Sequence, residues 1–130
     1  MATLFSKIAA GEIPCYKIAE NEEFYAFLDI NPITKGHTLV IPKAETDYIF
    51  DIEDGVLGRM MIFTKKIANA LKKAIPCKRI GVAVVGLEVP HAHIHLIPIE
   101  KEADMLFTNP KLKLAPDEMK SIAEKVQQNL

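Results

Sequence analysis

The sequence predicts an α+β protein: a five-stranded, mainly antiparallel sheet with one long helix and short helices near its two ends. Three observations predict it. Five short apolar runs rich in β-branched and aromatic residues are separated by Pro, Gly and polar turns. One long stretch, Val56 to Leu71, repeats apolar residues at helical spacing. The order is three strands, the helix, then two strands, which segregates the helices instead of alternating them as βαβ units.

Taken in order, Leu4, Phe5, Ile8 and Ala9 have helical spacing and Gly11 follows as a stop. Cys15 to Ala19 is the first strand. The polar turn Glu20-Asn21-Glu22-Glu23 joins it to Phe24–Ile30 as a hairpin. Asn31-Pro32-Ile33-Thr34-Lys35-Gly36 is a loop before the third strand, His37–Pro42. Carboxylates at Asp51, Glu53 and Asp54 suit a helix start. Lys65, Lys66, Lys72 and Lys73 suit its C-terminal half, and Pro76 ends it. Arg79–Val85 is the fourth strand, joined through Gly86 and Leu87 to the fifth as an antiparallel neighbour. Lys101–Ala115 has no period. Pro116 opens a last amphipathic helix with Met119, Ile122, Ala123 and Val126 on one face. A single domain spanning 1–130 is expected, with 1–108 as core and 109–130 as tail and helix.

Size and charge narrow the function. At 130 residues and a net charge of −1 the chain can bury a core but carries no basic field for nucleic acid. It has no apolar run of membrane-spanning length, and Met1–Lys7 lack the layout of a secretion signal, so a cytoplasmic protein is expected. Cys15 and Cys77 are isolated and fit neither a CxxC pair nor a zinc-ligand spacing. Walker A and GxGxxG patterns are absent.

The chemistry concentrates in Val89-Pro90-His91-Ala92-His93-Ile94-His95-Leu96-Ile97-Pro98, which holds three of the four histidines. Strict alternation predicts a half-buried strand closed by Pro98, with His91, His93 and His95 in a row and Ala92, Ile94 and Leu96 in the core. Neighbours in such a row stand about 6.6 Å apart and the outer pair about 13 Å. Three rings so spaced do not converge on one zinc ion, whose ligand nitrogens sit about 2.0–2.1 Å away. They suit an extended substrate, with one neutral ring attacking and its neighbours hydrogen-bonding the reacting group. Two other readings of these residues remain: satisfied polar residues of a strand, and a metal held by His93 and His95 with His37. His37 begins HTLVIP much as His93 begins HIHLIP, a weak sign of a repeat.

The H-x-H-x-H run resembles the histidine triad (HIT) family. So do Leu4-Phe5-Ser6-Lys7-Ile8 and the stretch from Phe27-Leu28-Asp29-Ile30 through His37-Thr38-Leu39-Val40-Ile41-Pro42-Lys43. Together the blocks run from Leu4 to Pro98, and the likeness is to the Hint branch of nucleoside phosphoramidate hydrolases. The resemblance implies His93 as nucleophile on an α-phosphorus, forming a covalent nucleotidyl-histidine. It implies His95 at the phosphate and leaving group, His91 as orienter and His37 in a proton relay. It implies Asp29 on the ribose hydroxyls, and Phe5, Ile8, Phe27, Ile30 and Val89 lining a base pocket. A purine mononucleotide ligand, a homodimer and no cofactor are implied as well. Zinc is not favoured, because Ser6 stands in the region where some relatives carry a zinc-binding cysteine. Read without the resemblance, Phe5, Ile8, Phe27 and Ile30 fit plain core, and Asp29 before Asn31-Pro32 fits a turn. A nucleotide-binding interaction protein with little catalysis is the rival to an enzyme.

The chain departs from the family before the triad. Relatives carry an Asn and a Gly-rich segment with Gln there; this chain has Ala83-Val84-Val85-Gly86-Leu87-Glu88, with Leu87 in place of the Gln. Weakened phosphate binding is the expectation.

Overall fold

The computed structural model describes residues 2–130. Its helices are α1 (Leu4–Ala9), α2 (Asp54–Ala74) and α3 (Pro116–Gln127). Its strands are β1 (Lys17–Glu20), β2 (Phe24–Leu28), β3 (Thr38–Pro42), β4 (Arg79–Ala83) and β5 (Ile94–Ile99). The strands form one sheet in the order β1-β2-β3-β5-β4, every neighbour antiparallel. This is the α+β architecture that the order of the apolar runs predicts.

Alternation along the strands sorts side chains onto two faces. One face carries Phe24, Ala26, Leu28, Val40, Ile94 and Leu96, and packs against Met60, Phe63, Ile67 and Leu71 of α2 and Met119, Ile122 and Val126 of α3. The other carries Tyr25, Phe27, Leu39 and Ile41 and is covered by α1, through Phe5 and Ile8, with Ile13, Cys15 and Val89 packed beside them. Both faces of β2 and β3 are therefore buried. The thinner cover on the α1 side leaves room for the site.

The helix ends follow from local chemistry. Thr3 caps α1 by accepting the Ser6 amide, and the Glu53 side chain caps α2 by accepting the Gly55 amide. Pro116 begins α3, where a missing amide hydrogen costs nothing. Gly36 turns the chain into β3 with φ of 89°, which favours glycine, and a Cβ there would also crowd Ile75 at 3.0 Å and Leu71 at 3.1 Å.

Two expectations about the histidine run are corrected. The strand begins at Ile94, not Val89, because residues 89–92 are tied down off the ladder: the His91 amide bonds Val89 O at 2.8 Å and the Ala92 amide bonds Thr46 O at 2.7 Å. His91 and His93 therefore precede β5, and the three rings do not form an even row. Pro98 lies inside β5 and does not close it. Its carbonyl accepts from Thr34 Oγ1 on the side where β3 has already ended, so no ladder hydrogen bond is lost. Other strands are shorter than expected: β1 starts at Lys17, β2 stops at Leu28, β3 starts at Thr38 and β4 stops at Ala83. Ala92, Ile94 and Leu96 do enter the core.

Candidate functional site

The end of β2, the start of β3 and the start of β5 lie side by side. The Asp29 amide bonds His37 O at 2.9 Å, and Leu39 pairs with His95, so the sheet register brings Asp29, His37 and His95 together from distant parts of the chain. Together the three present a carboxylate and two ring nitrogens within 4.8 Å of one another.

Hydrogen bonds fix the proton on each ring. The Ile33 amide donates to His37 Nδ1 at 3.0 Å, so His37 carries its proton on Nε2. That Nε2–H donates to His95 Nδ1 at 2.9 Å, which places the proton of His95 on Nε2. His93 is the opposite tautomer: its Nδ1 lies 2.7 Å from His91 O, a carbonyl that only accepts, so Nδ1 holds the proton. The Nε2 lone pair of His93 and the Nε2–H of His95 are left for the cavity that both rings line. The two rings meet edge to face with centroids 4.9 Å apart.

His91 is fully buried and turned away from the cavity. Its Nε2–H donates to Pro42 O at 2.7 Å, and its Nδ1 accepts from the Thr3 hydroxyl at 2.6 Å. Thr3 belongs to a cluster: the Ser6 hydroxyl donates to Glu45 Oε1 at 2.6 Å, and the Thr3 amide reaches the same oxygen at 3.1 Å. Those contacts hold the Glu45 carboxyl below the usual range. His91 thus connects α1 and the segment after β3 to the carbonyl that orients His93. Thr3 and Glu45 escape sequence reading, because Thr3 lies 88 positions from His91 and Glu45 joins the cluster only through Thr3 and Ser6; Ser6 stands out only as an absent cysteine.

Burial keeps two rings neutral. Desolvation, then the neighbouring His95, Lys111 and His93, pushes His37 down to about 3. Desolvation, then His93 and Lys111, pushes His95 down to about 4. Desolvation raises Asp29, partly offset by the hydrogen bond from the Asn31 amide. Asp29 Oδ2 stands 3.7 Å from His37 Nε2, too far for a hydrogen bond, and with His37 neutral the two are no ion pair.

Two cavities meet at His93 and His95. An apolar one of about 340 Å³ is lined by Phe5, Ile8, Phe27, Ile30, Leu39 and Val89, with Asp29 at its rim. A polar one of about 360 Å³ is lined by Asp29, His37, Glu88, Phe107 and Lys111. The base-pocket residues expected from sequence thus share one cavity. Phe5, Ile8 and Phe27 are also buried core, while Ile30, past the end of β2, is 67% exposed and only edges it. Phe107, whose ring meets His95 at 4.8 Å, and Lys111 come from residues 101–115, where the sequence has no period.

A metal reading falls on Asp29, His37 and His95, not on His93. A tetrahedral zinc with nitrogens about 2.05 Å away separates its ligands by about 3.3 Å. The His37 and His95 nitrogens are closer, at the 2.9 Å of their hydrogen bond, so the donors are arranged as a proton-sharing pair.

Comparison with known proteins identifies the family. The model of the HIT domain family matches residues 10–102. An uncharacterized HIT-like protein of Borreliella burgdorferi is 36% identical over 135 residues, covering 98% of this chain and 97% of that one. Adenosine 5'-monophosphoramidase hnt1 of Schizosaccharomyces pombe is 33% identical over 132 residues, covering 100% and 99%. The crystal structure of a Hit-like protein from Bartonella henselae superposes with a TM-score of 0.85 at 30% identity, covering 98% and 96%. With the family model spanning most of the chain and relatives matched along their whole length, the chain belongs to the HIT domain family.

Proposed function

We propose that this protein is a nucleotide-binding hydrolase or transferase acting at the α-phosphate of nucleoside monophosphate conjugates. The observation that carries the reading is the His93 tautomer: an unprotonated Nε2 at the meeting point of an apolar and a polar cavity. The apolar cavity takes the purine, Asp29 accepts from the ribose hydroxyls, and the α-phosphorus comes to rest at His93. His93 Nε2 bonds to phosphorus, and the bond to the leaving group breaks with its electron pair on that group. Water then attacks phosphorus and gives up a proton to solvent, and the electron pair of the N–P bond returns to His93 as the mononucleotide departs. The His95 Nε2–H donates to the developing charge on a phosphoryl oxygen. The name of the fission-yeast relative, a monophosphoramidase, supports this class of chemistry.

A second copy of the chain is the proposed partner. β4 is an edge strand, and Val82, Val84, Val85 and Leu87 stand exposed on and just after it, beside exposed Phe50 and Met61. An unpaired apolar edge is a template for pairing. Light scattering should return a dimer mass, and Val84→Glu a monomer; a monomeric wild type sinks the pairing. Cys15 and Cys77 are free thiols, which suits a reducing compartment, and the proposal places the protein in the cytoplasm.

The test is turnover of an adenylyl conjugate beside AMP binding, in wild type and His93→Ala. The expected result is binding in both and turnover in wild type alone. Binding without turnover in wild type would favour a nucleotide-binding interaction protein instead.

A further inference from the structure

We infer that the segment from Leu106 to Leu112 is a strap that holds Lys111 at the leaving-group side of the site, and that the enzyme therefore prefers conjugates with an anionic leaving group, a sulfate or a second phosphate, over amines. This deepens the hydrolase reading and rests on it.

The strap is fastened at several points. The Leu112 amide bonds Pro32 O at 2.8 Å, the Asn109 amide bonds Leu106 O at 3.0 Å, and Asn109 Nδ2 bonds Ala103 O at 2.7 Å. Phe107 lies edge to face on His95. The Lys111 ammonium donates to the carbonyls of Phe107 and Asn109, so two of its three protons fix its position and one remains for a ligand. The segment lies beyond the residues that the family model matches.

Charge accounting around the polar cavity gives Lys111 its role. Among the described residues lining it, Lys111 is the one fixed cation, facing the carboxylates of Asp29 and Glu88. The buried rings of His37 and His95 add no positive charge near neutrality. Leu87, beside them, has no hydrogen bond to offer. When His93 displaces an anionic group, the breaking P–O bond leaves its electron pair on an oxygen that already bears charge nearby, and a fixed ammonium stabilises that build-up. An amine leaving group needs a proton and gains little from a cation. A neutral His95 is a hydrogen-bond donor and not a ready acid.

The experiment compares kcat/KM for adenosine 5'-phosphosulfate and adenosine 5'-phosphoramidate in wild type, Lys111→Ala and Lys111→Arg. Wild type should favour the sulfate conjugate. Lys111→Ala should lower kcat/KM on it roughly ten- to a hundredfold, the range of one hydrogen bond to a charged group, and alter the phosphoramidate by less than about threefold. Lys111→Arg should restore most of the difference. An equal loss on both substrates would mean that Lys111 only tethers its loop, and the inference fails. An unchanged ratio, or a wild type that prefers the amine, overturns it as well. A folded wild type that turns over neither conjugate overturns the hydrolase reading itself, which is a separate result.

Discussion

His37 Nε2 stands 2.9 Å from His95 Nδ1, with both rings buried and neither positioned to share a proton with Asp29. The pair has a consequence for stability. Both rings resist protonation in the fold, with values near 3 and 4, whereas an unfolded chain protonates them near 6.5. Between those limits the unfolded state binds more protons, so stability rises with pH through the window, is complete above about 6.5, and is lost as pH falls toward 4. Each ring contributes a slope of up to about 1.4 kcal/mol per pH unit there. Denaturant titrations from pH 7 to pH 4.5 should show a steady fall, flattened in His37→Gln. Stability independent of pH across that range would contradict the buried neutral pair.

Thr3 is predicted to act through His91. Thr3→Val removes the hydroxyl that satisfies the buried Nδ1, at a cost of about 1–3 kcal/mol for an unpaired buried acceptor. The variant should melt earlier and lose kcat more than AMP affinity, because the carbonyl that orients His93 is loosened while the base cavity is untouched. Equal loss of kcat and AMP affinity would show that α1 as a whole had moved.

Leu87 is 89% exposed and lines the polar cavity beside His93 and His95. Leu87→Gln should supply the hydrogen bond that the sequence lacks and tighten AMP binding, by about 1.5–3 kcal/mol if it reaches the charged phosphate. Calorimetric titration measures it. Unchanged or weaker affinity in a folded variant would mean that residues 86–88 do not face the phosphate.

Much of the fold was legible because apolar runs and breakers act locally. Pro76, Pro116 and Gly11 mark helix limits that the structure repeats within a few residues. The sheet's members could be read from alternation, and β4 does pair antiparallel with β5 as expected, although residues 84–93 join them in place of the short link expected at Gly86 and Leu87. The histidine run misled for a physical reason: alternation predicts which face a residue takes, and it did so for Ala92, Ile94 and Leu96. It does not say where ladder bonding starts, and Val89 O and Thr46 O claim the backbone up to Ala92. The four histidines, Asp29 and the apolar cavity residues were all visible in the sequence. Glu45, Thr3, Phe107 and Lys111 were not, since each reaches the site through tertiary contacts that leave no local pattern.

His93 Nε2 is the proposed nucleophile. The direct measurement is a rapid quench of wild type with an adenylyl conjugate labelled in its phosphate, followed by peptide mapping under conditions that preserve an N–P bond. Label is expected on the peptide containing His93, formed and discharged within a single turnover, with no label or turnover in a folded His93→Ala. Label on another residue, or turnover that persists in His93→Ala, would contradict it.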